Sequence, residues 1–159
     1  MKKASIYIET SIISYLTARP SRDLMIAASQ QVTTEWWETS RESSDVVTSD
    51  LVVLESREGD PHTAQKRLDL LRAIRAVELT EEARQLAETL TGKGALPKRA
   101  QADALHIAVA AVHTIDYLLP WNLRPIDNPA TKPRVREICG LEGYRCPEIC
   151  TPFEIMELR

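Results

Sequence analysis

Ala4-Ser5-Ile6-Tyr7-Ile8-Glu9-Thr10-Ser11-Ile12-Ile13 is the stretch that decides the fold. Residues 4–8 are short, apolar and partly β-branched, which predicts a buried strand. Thr10 and Ser11 then offer capping hydroxyls to a helix through Ile12, Ile13, Tyr15 and Leu16 that closes near Pro20. Between strand and helix stands one acid, Glu9. In an open parallel sheet the crevice outside the carboxyl ends of the strands is where ligands bind, so Glu9 is placed where chemistry is done.

Working outward, the same punctuation recurs. Ser21 to about Glu42 predicts a long helix with Leu24, Ala27, Ala28, Val32 and Trp36 on one face. Of the adjacent Trp36 and Trp37, one faces the core and one lies near the surface, and packing within the domain is the expected role. Asp45–Thr48 reads as a second strand, and Ser49 or Asp50 caps a short helix carrying Leu51, Leu54 and Glu55. Gly59 ends it, and Asp60-Pro61 starts another with Ala64, Leu68, Leu71 and Ile74 inward. A minimal third strand follows at Val77–Leu79, then Thr80 as cap with Glu81 and Glu82 favoured by the helix dipole, and Gly92 as the stop. Residues 100–113 form the next helix, Tyr117–Leu119 the fourth strand, 133–139 a short helix and Glu148–Thr151 a fifth strand, with a last turn after Pro152. Such alternation predicts an α/β domain with helices on both faces of a mostly parallel sheet of about five strands. No repeat, linker or low-complexity stretch divides residues 1–159, so a single domain is expected.

Three more polar residues occupy positions like that of Glu9. Glu55 closes Leu51-Val52-Val53-Leu54, Asp103 opens Ala104-Leu105-His106-Ile107-Ala108, and Asn122 follows Tyr117-Leu118-Leu119-Pro120-Trp121. Glu9 and Asn122 fall on one rim of the sheet. Asp103, His106 and Ala110 share a helix face that is otherwise rich in alanine, which lets that helix approach the sheet closely. His106 is expected to be a packed or hydrogen-bonded residue one turn below Asp103. Three carboxylates and an amide gathered at one place repel each other unless a cation joins them, and hard cations such as Mg²⁺ take such oxygen ligands.

Composition bounds the class. The chain has 159 residues, 43% hydrophobic and 27% charged, as for an ordinary soluble domain. Its apolar runs are too short for a membrane span, and Met1-Lys2-Lys3 leads into a strand rather than a signal-peptide core, so a cytosolic setting is expected. Three cysteines, Cys139, Cys146 and Cys150, cannot all pair and are expected as free thiols. Cys146-x3-Cys150 resembles half a zinc site, but no matching His or Cys pair lies nearby. The net charge of −3 is not that of a nucleic-acid binder judged by total charge. The segment Gly92-Lys93-Gly94-Ala95-Leu96-Pro97-Lys98-Arg99, however, carries three positive charges and no negative one, just before Asp103.

The pieces Tyr7-Ile8-Glu9-Thr10-Ser11-Ile12, Val53-Leu54-Glu55, Asp103-Ala104-Leu105-His106-Ile107-Ala108 and Tyr117-Leu118-Leu119-Pro120-Trp121-Asn122 together resemble the PIN domain, the ribonuclease domain of the VapC-type toxins of type II toxin–antitoxin pairs. The resemblance spans residue 4 to about residue 150. It implies a three-layer α/β/α fold and an endoribonuclease dependent on Mg²⁺ or Mn²⁺, often a homodimer and often neutralised by a small antitoxin. By the same resemblance Glu9, Glu55, Asp103 and Asn122 are the catalytic, metal-binding set. Glu9 replaces the aspartate usual in Asp-Thr-Ser, and Pro120 stands where threonine or serine is usual. Arg124-Pro125-Ile126 replaces a Lys-His-Ile-like sequence. Thr10, Lys98 and Arg99 are expected to touch the RNA substrate.

Other acid-after-strand families fit less well. Haloacid dehalogenase phosphatases need an aspartate nucleophile and a second aspartate two residues on, where this chain has Glu9 and Ser11. Response-regulator receivers need a phosphorylated aspartate at the end of the third strand, where it has Leu79-Thr80. The remaining rival is a degenerate PIN-like protein that binds RNA or a partner without cutting.

Overall fold

The computed structural model describes residues 2–121 and 129–157. Its centre is β1 (Ser5–Ile8), in which Ile6, Tyr7 and Ile8 are all buried. A strand apolar on both faces must be covered on both, as in a parallel sheet. β2 (Asp45–Ser49), β3 (Arg75–Val77), β4 (Tyr117–Leu119) and β5 (Glu148–Ile149) complete a five-stranded sheet in the order β3-β2-β1-β4-β5. Every pairing is parallel, with Tyr7 opposite Val47 on one side and Leu118 on the other.

The strand order reverses direction at β1, so the crossovers on its two sides lie on opposite faces. The helices form two packed groups accordingly. α1 (Thr10–Thr17), α2 (Leu24–Ser40), α3 (Asp50–Ser56) and α4 (Pro61–Leu71) pack together and are joined by α8 (Pro152–Glu157). α6 (Gln101–Val112) and α7 (Thr131–Leu141) both pack on α5 (Glu81–Gly92). The carboxyl ends of β1 and β4 therefore flank a topological switch point, the place where α/β folds open a crevice. None of the helices among the described residues is long and apolar enough to cross a membrane.

Five expectations shift. The cap of α1 is Glu9 itself rather than Thr10 or Ser11, and its carboxylate accepts from the Ser11 N–H. β3 begins two residues earlier than its apolar run, because Arg75 pairs with Val47 and Val77 with Ser49, where β2 ends. It is an edge strand with Arg75 and Ala76 exposed, so burial did not select its residues. The chain turns after α5 at Gly94, which has φ +75°, and Gly92 remains helical. Glycine suits the left-handed conformation because it has no Cβ to clash. β5 is shorter than its apolar stretch, ending at Ile149.

The fifth shift concerns α2. Leu24, expected inward, is 86% exposed, and the buried face is carried by Thr33, Trp36 and Ser40. Thr33 fits there because its hydroxyl donates to the Ser29 carbonyl and accepts from the Trp121 indole N–H. Trp36 is buried, whereas Trp37 is half-buried beneath the Arg41 guanidinium. The helix starts at Asp23, which accepts from the N–H groups of Met25 and Ile26. Asp23→Ala leaves those two donors without a side-chain partner and should cost about 1 kcal/mol in urea unfolding. An unchanged midpoint would show that water replaces the cap at no cost.

Candidate functional site

Glu9 leaves β1 in extended conformation, with its N–H on the Leu119 carbonyl at 3.1 Å. That bond ties the end of β1 to the end of β4. One carboxylate oxygen, Oε2, accepts from the Ser11 N–H at 3.1 Å and the Ser11 hydroxyl at 2.5 Å. The Ser11 hydroxyl also accepts from the Trp121 N–H at 2.9 Å, and the Trp121 ring stacks on Tyr15. Glu9 is thereby pinned through Oε2, and its Oε1 lies 3.9 Å from His106 Nε2.

Glu55 reaches the same place from α3, whose start is fixed by Ser49 accepting from the Val52 N–H. Its Oε1 accepts from His106 Nε2 at 2.8 Å and from the Thr10 hydroxyl at 2.5 Å. Burial alone would raise the Glu55 pKa. The bond to His106, the electrostatic pull of its ring and the Thr10 hydroxyl outweigh it and hold the carboxyl below its ordinary value.

Asp103 is the third residue of α6, where the helix dipole favours an acid. Its pKa is raised to about 6, first by burial, then by the charge of Glu9 and less by that of Glu55, with His106 opposing. Among the described residues it has no hydrogen bond or ion pair. No Lys or Arg among them pairs with Glu9, Glu55 or Asp103; among the described residues their basic neighbour is His106.

The arrangement suits a divalent cation. Glu9, Glu55 and His106 each offer one ligand atom, all within 4.8 Å of one another, and Asp103 is close enough to feel both other acids. Hard carboxylate oxygens with no Lys or Arg among the described residues to neutralise them suit Mg²⁺ or Mn²⁺. Thr10, expected to touch substrate, has its hydroxyl on Glu55. Lys98 and Arg99 form an exposed single turn directly before α6, unpaired among the described residues. Asn122, the expected fourth corner, lies outside the described residues, as does Arg124-Pro125-Ile126.

The sequence did not reveal the support beneath the acids. Tyr7 Oη lies 2.6 Å from Ser49 Oγ and 2.7 Å from His106 Nδ1. All three side chains are buried. Ser49 was legible only as a cap, and Tyr7 only as a strand residue. His106 is hydrogen-bonded one turn below Asp103, and it also joins the ligand cluster.

No family model matches the sequence, and no curated protein matches it. Solved structures do. The structure of Mycobacterium tuberculosis VapC20, a toxin that cleaves the sarcin-ricin loop, is similar with a TM-score of 0.59 at 16% identity, over 89% of this chain and 99% of that one. VapBC2 from Rickettsia felis, bound to a DNA fragment from its promoter, is similar with a TM-score of 0.58 at 14% identity, over 92% and 98%. At such identities the likeness is one of fold, and it spans nearly the whole of each chain. The chain therefore has the α/β fold of the VapC-like PIN domains, with an acidic cluster at its switch point.

Proposed function

We propose that the protein is a Mg²⁺- or Mn²⁺-dependent endoribonuclease, the toxin of a type II toxin–antitoxin pair. The observation that carries this is the meeting of Glu9, Glu55 and His106 within 4.8 Å at the switch point, with Asp103 near enough to couple to both acids and no Lys or Arg pairing with them among the described residues. Glu9 through its free oxygen and Asp103 would hold the ion, with Asn122 as the fourth corner. Bound there, a divalent cation supplies Lewis-acid polarisation of the phosphate and activation of the attacking water.

The chain's own groups do the rest. Glu55, gripped through Oε1 by His106 and Thr10, presents its second oxygen to orient the attacking water. Asp103, whose pKa is raised first by burial and then by the charges of Glu9 and Glu55, would be held ionised by a bound cation. Lys98 and Arg99, one turn ahead of Asp103, grip flanking phosphates. Purified protein incubated with total RNA and either metal, beside the Asp103→Asn variant, tests the activity.

Lys98→Ala with Arg99→Ala removes two phosphate contacts. The slope of log affinity against log salt should become shallower by roughly 1.4, at about 0.7 per contact for single-stranded RNA. An unaltered slope would return this turn to a solvated surface. A small antitoxin partner, a homodimer and a cytosolic setting belong to the same reading. Light scattering at twice the 17.9 kDa chain mass would support the dimer.

One observation favours the rival reading of a domain that binds without cutting. Glu9 spends half its carboxylate on capping α1. Isothermal titration with Mn²⁺ separates the two, since a dead site gives no saturable binding.

A further inference from the structure

Beneath the acids runs a buried chain of hydrogen bonds from Ser49 through Tyr7 and His106 to Glu55, with Thr10 meeting it at Glu55 Oε1. Tyr7 and Ser49 are 0% exposed and His106 is 1% exposed. With His106 neutral, the Glu55 end fixes its direction. An ionised carboxylate only accepts, so both Thr10 Oγ1 and His106 Nε2 must donate to Glu55. A neutral imidazole protonated at Nε2 has a bare lone pair at Nδ1, and the Tyr7 hydroxyl fills it. The Tyr7 oxygen then accepts the Ser49 hydroxyl proton, while Ser49 accepts from the Val52 N–H at 3.2 Å.

Every proton in this chain has one acceptor, and none of its buried side-chain polar atoms is left unpaired. The opposite neutral tautomer would aim the Nε2 lone pair at a carboxylate oxygen 2.8 Å away, which is repulsive. Register puts the parts in place. Tyr7 lies on β1 beside Val47 of β2, two residues before Ser49, and His106 follows Asp103 by one helical turn.

We infer that His106 is a positioning residue for the acidic site: locked by Tyr7 and Ser49 with its proton on Nε2, it clamps Glu55 Oε1 and leaves Oε2 as the oxygen available to a metal or its water. This deepens the nuclease reading and rests on it. It also separates two roles the geometry offers His106, since a metal ligand must present a bare Nε2 and carry its proton on Nδ1.

The test uses the whole chain. Long-range proton–nitrogen correlation spectra of the metal-free protein distinguish protonated from bare ring nitrogens. The wild type should show His106 protonated at Nε2, and Tyr7→Phe, which removes only a hydroxyl, should lose that single tautomer. Mn²⁺ titration should show Tyr7→Phe and His106→Asn each weakening affinity about tenfold, at the low end of what losing an outer-shell partner costs. His106→Gln, whose amide N–H falls where Nε2–H was, should recover most of the loss. Thermal unfolding confirms that each variant is folded.

Nδ1-protonated His106 in the wild type overturns the inference, as does unchanged Mn²⁺ affinity in folded Tyr7→Phe. A wild type that binds no Mn²⁺ overturns the metal site instead, and the tautomer, read without metal, still decides whether the clamp exists.

Discussion

Asp103→Asn is expected to abolish metal-dependent RNA cleavage, a fall of at least about a thousandfold, or about 4 kcal/mol of barrier. The substitution keeps the shape of the side chain and removes one charge from a three-carboxylate cluster. Asp103 is the member with no hydrogen bond among the described residues, so no capping or packing role is lost with its charge. The loss in helix-dipole energy is about 0.3–1 kcal/mol, and relief of repulsion from Glu9 and Glu55 opposes it. The variant should therefore fold as the wild type does while failing to cut. Cleavage at the wild-type rate would remove Asp103 from the mechanism.

The second large effect is on stability. Mn²⁺ at about a hundred times its dissociation constant should stabilise the folded protein by about 2.7 kcal/mol near neutral pH. That gain should fade as pH drops through about 6, where protons compete with the cation for Asp103. The metal-free protein behaves in the opposite sense. Because the folded Asp103 pKa is raised above its ordinary 3.8, the folded state holds that proton more tightly than the unfolded one, and stability falls as pH rises from about 4 to about 6. Metal-free Asp103→Asn should exceed wild type above that window by on the order of 1 kcal/mol, a figure discounted for screening of a partly exposed carboxylate. Below it the two should match. Glu55 works the other way: its lowered pKa gives stability that is present above its ordinary value and lost as pH falls through the lowered one. Thermal unfolding at both ends of the window, with and without Mn²⁺, checks these signs, and a metal-induced gain equal on both sides would contradict them.

The fold was legible where burial selects residues on both faces. Ile6, Tyr7 and Ile8, and Leu118 with Leu119, read as central strands and are central strands. Strand β3 was misplaced because an edge strand with Arg75 and Ala76 exposed leaves little hydrophobic signature. The inward face of α2 was misread for a related reason. Its buried Thr33 and Ser40 are satisfied by hydrogen bonds, so they carry no apolar period, while Leu24 and Met25 stand exposed.

At the site, position relative to strand ends and helix starts pointed to Glu9, Glu55 and Asp103, whose charges interact in the structure. It could not show which oxygens are free. That Glu9 Oε2 caps α1, and that Tyr7 and Ser49 hold His106, depends on side chains meeting across the sheet. Residues 99 positions apart, Tyr7 and His106, share no local pattern that spacing could reveal.

The most direct measurement is anomalous diffraction from crystals soaked in Mn²⁺. The convergence of acids predicts a single strong peak with oxygens of Glu9 and Asp103 roughly 2.0–2.6 Å away and Glu55 beside it. No peak there at saturating Mn²⁺, or a peak elsewhere with the three carboxylates turned apart, would contradict the nuclease account.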